Sequence, residues 1–150
     1  MESRRIGPLH FRETPFLEIE PGEWQELVAE LEQATFELQS FARGCEGEGR
    51  AIVVSSAAAA RAIEGCTLDA VAGGFLTTVA QVAALELRPR GITVNVVVPA
   101  RPPDEATVDA VAGFLSSEVA AGVTGAVIAA DGGFSVTKEP GGKPPLPRHD

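Results

Sequence analysis

Tyrosine is absent from the 150 residues, cysteine occurs twice, and lysine and arginine together number 12 against 21 aspartates and glutamates. Each shortage closes a class of function. Without tyrosine no phenol is available anywhere for acid–base work. Cys45 and Cys66 are too few and too far apart for a zinc site. A formal charge of −9 with no basic stripe argues against nucleic acid, whose phosphates need clustered Lys and Arg. It argues equally against an anionic membrane surface. The uninterrupted apolar runs fall short of the roughly 20 residues that a bilayer span takes. No charged segment followed by an apolar run opens the sequence, so no signal peptide is expected. The expectation is a cytoplasmic protein with reduced thiols and neither a membrane nor a nucleic-acid partner.

What is present suffices for one core, since 45% of the residues are hydrophobic. Residues 1–12, with Arg4, Arg5 and Arg12 among Gly and Pro, read as an irregular lead-in. Pro21 then opens a helix at its first turn, where its missing N–H costs nothing. Trp24, Leu27, Val28, Leu31, Thr35 and Leu38 recur at helical spacing, and Gly44 stands where a C-terminal cap belongs. Residues 51–55 (AIVVS) read as a buried parallel strand. Thr67 caps a helix over 68–88 that Pro89 and Gly91 stop. Residues 92–98 form another buried strand, 106–115 a shorter helix, and 126–130 a third strand ended by Asp131-Gly132-Gly133. Strands alternating with helices imply an α/β fold with a parallel sheet of about three strands flanked by helices, over residues 13–136. Residues 137–150, rich in proline and glycine, read as a loose tail.

The helix over 68–88 is the most informative element. From Thr67 through Leu85 its only charged residue is Asp69. A surface helix of a monomer shows a charged face, and this one is apolar or small nearly all round. A sheet covers one side, and the other side needs a second chain. Small residues at Gly74, Thr78 and Gln81 favour close helix–helix approach there, with Leu31, Thr35 and Leu38 of the first helix beside them.

Four stretches, in order, resemble the short-chain dehydrogenase/reductase family. They are PFLEIEPGEW at 15–24, AIVVSSAA at 51–58, ALELRPRGITVNVVVPA at 84–100 and VTGAVIAADGG at 123–133. The resemblance covers about residues 6–134 and implies the C-terminal half of a Rossmann-like fold. The family opens with a strand, a Gly-rich turn and a helix that holds the cofactor pyrophosphate. Here Gly44, Gly47 and Gly49 follow a helix and precede a strand, the reverse of that order. The family's catalytic Asn, Ser, Tyr and Lys fall on Leu31, Ser56, Asp69 and Gly73, so only the serine is retained. An ordinary aspartate is ionised at neutral pH and cannot stand in as the proton donor. After Pro99-Ala100 the family's long substrate loop is replaced by ARPPDEA. The resemblance thus implies no catalytic set, no cofactor in this chain, and subunit-contact helices that remain.

Other candidates have bland readings beside the functional ones. Ser56 is a possible nucleophile with no histidine nearby in sequence, and a serine after a strand also caps turns. Asp69 is a possible acid or base, and a first-turn aspartate also complements the helix dipole. His10 and His149 lie in irregular termini, and Cys66 precedes a helix N-terminus. Residues 142–148 form a polyproline-like run beside the plain reading of a tail. The leading expectation is a non-catalytic subunit that associates with a full-length, active NAD- or NADP-dependent homologue. The alternatives are a homo-oligomer with hydrolytic or ligand-binding activity near Ser56, and a fragment unable to fold alone. Residues 4–11 are expected to cover the otherwise bare edge of the 51–55 strand, unless another chain does.

Overall fold

The computed structural model describes residues 1–136. The expected tail at 137–150, with its polyproline-like run and His149, lies outside the described residues.

Helix α1 (Pro21–Gly44) starts on a reciprocal cap. The Glu20 side chain accepts from the Glu23 backbone, and the Glu20 N–H donates to Glu23 Oε2 at 3.1 Å, with Pro21 in the first turn. Helix α2 (Thr67–Leu87) is ended by the turn Arg88–Arg90 and by Gly91, whose φ of 74° suits glycine. Helix α3 (Glu105–Leu115) is capped by Asp104, which accepts from the Ala106 N–H at 3.2 Å. Strands β2 (Gly49–Val54) and β3 (Ile92–Pro99) are buried along their whole length, as central parallel strands covered on both faces are. Strand β4 (Val127–Ala130) closes one side.

The described residues hold one strand more than the sequence suggests. Strand β1 (Glu2–Ile6) lies in the stretch read as irregular and pairs parallel with β2, from Glu2 opposite Gly49 to Ile6 opposite Val53. The sheet is therefore β1-β2-β3-β4, all parallel. The strand escaped notice because ESRRI carries one apolar residue, and only Ile6 is buried. An edge strand needs no apolar alternation, and this edge is charged. Arg4 reaches Glu37 on α1 at 3.6 Å, while Arg5 reaches Glu105 and Asp109 on α3 at 2.9 and 2.7 Å. Residues 2–6 thus cover the edge of β2; of the expected stretch 4–11, residues 4–6 lie there and the chain then turns away at Gly7.

Alternate residues of β2 face opposite layers. Ala51 and Val53 join Leu27, Leu31, Leu38, Leu68 and Leu76 in a core under α1 and α2. Ile52 and Val54 join Val97, Val108 and Leu115 under α3. Leu31 and Leu38, expected at a subunit contact, are accordingly core residues of this chain at 6% and 5% exposure. Their helical spacing marks the side of α1 that faces the sheet.

The two sides of α2 also differ from expectation. Ala72, Gly73, Ala80 and Ala84 face inward with Leu68 and Leu76. The small residues let α2 approach its own chain closely. Val71, Gly74, Phe75, Thr78, Gln81, Val82 and Leu85 lie exposed on the outward side. Contrary to the reading from run lengths, residues Thr67–Arg90 form a helix long and apolar enough to cross a bilayer. Here that helix packs against β3.

Candidate functional site

In parallel α/β sheets ligands bind beyond the carboxyl ends of the strands. In this chain that end of β2 and β3 gathers four segments: Ser55 and Ser56 after β2, the first turns of α2, Arg101 after β3, and residues 8–14 after β1. The cavity among them measures about 60 Å³, room for little more than water.

Ser55 ends β2 and turns inward. Its hydroxyl donates to the Gly73 carbonyl at 2.9 Å and lies 3.2 Å from the Thr77 hydroxyl. Ser56, expected at the family's serine position, accepts from the Ala58 N–H at 3.2 Å and so caps the following turn. Gly73, expected at the lysine position, is closely packed. A Cβ built on it would lie 2.7 Å from the Ala59 Cβ and 3.0 Å from the Ser56 carbonyl oxygen. Leu31, expected at the asparagine position, lies in the core.

Asp69, expected at the family's tyrosine position, is 6% exposed. One carboxylate oxygen accepts from the Arg12 backbone N–H at 3.0 Å, and the other accepts from the Arg101 guanidinium at 3.0 Å. Arg101 in turn lies over the Phe11 ring, 4.1 Å from its centroid. Burial pushes the Asp69 carboxyl above the ordinary aspartate range, and the Arg12 N–H and the Arg101 charge offset only part of that. Burial likewise raises the Cys66 thiol, so the helix N-terminus beside it does not make an activated nucleophile. Glu30 behaves differently. Its partial burial is outweighed by hydrogen bonds from Arg12 and His10, which hold its pKa below the usual value. His10 keeps an exposed ring with Nδ1 2.8 Å from Glu30.

Two further candidates resolve into structure. The Asp131 carboxylate accepts from the Gly133 and Ser135 N–H groups, each at 2.9 Å, which fixes the turn after β4. Among the described residues no group of three His, Cys, Asp or Glu is placed to hold a metal. Arg12, Phe11, Glu30 and Arg101 were not singled out from sequence. The available signal was position alone, an arginine directly after the buried strand β3.

A second surface lies on α1 and α2. On α1, Trp24, Val28 and Phe36 are 45%, 45% and 55% exposed. Between the helices is a groove of about 530 Å³ lined by Thr35, Leu38, Thr78, Val79 and Val82 among others. Of the expected contact residues, Gly74, Thr78 and Gln81 are exposed and Thr35 is half-buried, its hydroxyl donating to the Leu31 carbonyl at 2.8 Å.

Comparison with known proteins places this fold. Residues 5–103 match the family model described as enoyl-(acyl carrier protein) reductase. A search of curated proteins returns no match. Among solved structures, the chain is similar to a putative oxidoreductase from Escherichia coli, with 24% identity, a TM-score of 0.82, and coverage of 91% of this chain and 64% of that one. It is also similar to a short-chain dehydrogenase/reductase from Serratia marcescens, with 26% identity, a TM-score of 0.82, and coverage of 89% and 65%. An acetoin dehydrogenase from Salmonella typhimurium shares 19% identity with a TM-score of 0.80, over 91% and 66%. The chain thus spans about two thirds of the length of these structures. Through the enoyl-(acyl carrier protein) reductase model that it matches, this chain belongs to the short-chain dehydrogenase/reductase family.

Proposed function

We propose that this chain is a non-catalytic member of the family, a subunit that associates with a full-length, active NAD- or NADP-dependent homologue in the cytoplasm and stabilises or regulates it. The observation that carries the reading is the exposed, uncharged outward side of α2, where Val71, Phe75, Val82 and Leu85 stand at 36% to 70% exposure. Contiguous apolar surface of this kind marks interaction sites.

The absence of chemistry at the other end supports the same reading. No tyrosine exists in the sequence, and Asp69, which takes that position, is spent on Arg12 and Arg101. A nicotinamide cofactor does not fit the residues present. Residues 8–11 line a cavity of about 60 Å³ where the site would open, and Ala59 stands against the place of the lysine side chain. The second reading, a homo-oligomer with hydrolytic or ligand-binding activity at Ser56, has a hydroxyl already engaged by Ala58.

Co-purification of the tagged chain from its native host, with identification of what it retains, tests the proposal. A complete family member in stoichiometric amount is the expected result. A monodisperse monomer that retains nothing overturns it. Calorimetric titration of the isolated chain with NAD(H) and NADP(H) is expected to show no binding, and stoichiometric micromolar binding contradicts the pseudoenzyme reading.

A further inference from the structure

The cleft beyond β2 and β3 is closed by the chain itself. After Gly7, residues 8–14 cross over it. Pro8, Leu9, His10 and Phe11 form one wall of the small cavity, and Val54, Ala57, Ala72 and Leu76 lie on its other side. The Arg12 guanidinium pairs with Glu30 of α1, which also accepts from the His10 N–H at 3.2 Å, and three further attachments hold this crossing segment. The Thr14 N–H donates to the Gly65 carbonyl at 2.9 Å, and Thr14 bridges to Cys66. The Arg12 N–H donates to Asp69. The Phe11 ring packs under Arg101, which Asp69 also holds. Asp69 is common to two of these contacts. One oxygen takes the segment's backbone, and the other takes the guanidinium that stacks on its aromatic ring.

Of the segment's apolar side chains only Leu9 packs against the core. The Phe11 side of it is open, with that residue 56% exposed, and the His10 side chain is 86% exposed. A segment held by a few polar contacts with little apolar burial opens locally, at a lower free energy than the whole fold. We propose that residues 8–14 are a releasable strap, which occupies the family's ligand cleft in place of a ligand and is held shut by the Asp69–Arg101 clasp. Lifting the strap bares the apolar floor of Val54, Ala57, Ala72 and Leu76 without unfolding the sheet.

The two thiols report on this separately. Cys66 is 1% exposed and is bridged to Thr14 of the strap. Cys45 is 4% exposed and packs with Ala42 and Ile92 at the far end of the sheet. Alkylation of the whole native chain with iodoacetamide, resolved for each cysteine by mass spectrometry, compares them. Cys66 is expected to react faster than Cys45. Arg101→Ala and Phe11→Ala are each expected to raise the Cys66 rate about tenfold or more, the scale of one charge-assisted contact, with Cys45 unchanged within about twofold. Equal acceleration of both thiols means that the cleft opens only by global unfolding, and it overturns the proposal. No acceleration of either shows that the clasp holds nothing, and it overturns the proposal too. Should Arg101→Ala fail to fold, hydrogen exchange in the unaltered chain decides the matter. Arg12 and Thr14 amides that exchange no faster than the Val96 amide in β3 refute a releasable strap.

Discussion

The two ends of α2 and its two sides treat apolar surface in opposite ways. At the cleft, the first turns of α2 are covered by residues of the same chain that are distant in sequence: Arg12, Arg101 and Ala59. On the outward side, from Val71 to Leu85, comparable apolar surface is left in solvent. Adjacent residues mark the boundary. A Cβ on Gly73 would meet Ala59 at 2.7 Å, whereas one on Gly74 meets nothing within 4 Å. A single helix thus carries a side covered by its own fold and a side left exposed to solvent. Here the closed region is the cleft, and the open region is the helix pair.

The comparison breaks most sharply at Thr78, which is exposed at the middle of the open side. Thr78→Arg places a charge that association would desolvate at a cost of several kcal/mol. The expected outcome is loss of the complex in size-exclusion chromatography, with the thermal midpoint of the isolated chain unchanged. A complex that survives the substitution places the contact elsewhere.

The paired glycines sharpen the contrast within one chain. Gly73→Ala forces its methyl group against Ala59 and the Ser56 carbonyl, so a loss of about 1–3 kcal/mol is expected in denaturant unfolding. Gly74→Ala adds a methyl group in open space on a helix and removes backbone freedom from the unfolded chain. A gain of about 0.5–1 kcal/mol is expected. Equal effects at the two positions would mean that the cleft side is looser than its packing indicates.

The smallest expected effect is in pH dependence. Asp69 has a raised carboxyl pKa when folded, so folding favours its protonated form. Its contribution is complete below the ordinary aspartate value and is lost as pH rises through the raised one. Glu30 and Asp131 run the other way, because their lowered values give stability above the ordinary carboxylate range that is lost as pH falls. Asp69→Asn should therefore steepen the acid limb of stability, since it removes the one opposing slope among these three groups. Urea unfolding at closely spaced pH values between the mild acid range and neutrality checks this. An unchanged acid limb shows that Asp69 does not titrate in that window.

The three helices and the strands β2, β3 and β4 were legible in the sequence because each carries its own punctuation. Pro21 opens α1, Gly91 ends the turn after α2, and β-branched runs fill β2 and β3. Strand β1 was not legible, because an edge stabilised by Arg4 and Arg5 has no apolar period to detect. The inward side of α2 was not legible either. Where both sides are apolar or small, periodicity gives a spacing and no direction, so Gly73 and Gly74 look alike. The cleft contacts of Asp69 join residues 57 and 32 positions away, pairings that no local pattern encodes.

The charges on β1 bear on how far this molecule can grow. Arg4 and Arg5 point to opposite layers and engage α1 and α3, which guards one margin of the sheet against docking by a stranger's strand. Among the described residues the other margin, β4, is a short strand with Val127 in solvent. Fibrils elongate only when a sheet can be extended at both margins. A sheet open at one margin pairs once and stops, so crowding this protein should yield discrete particles of defined size rather than fibres.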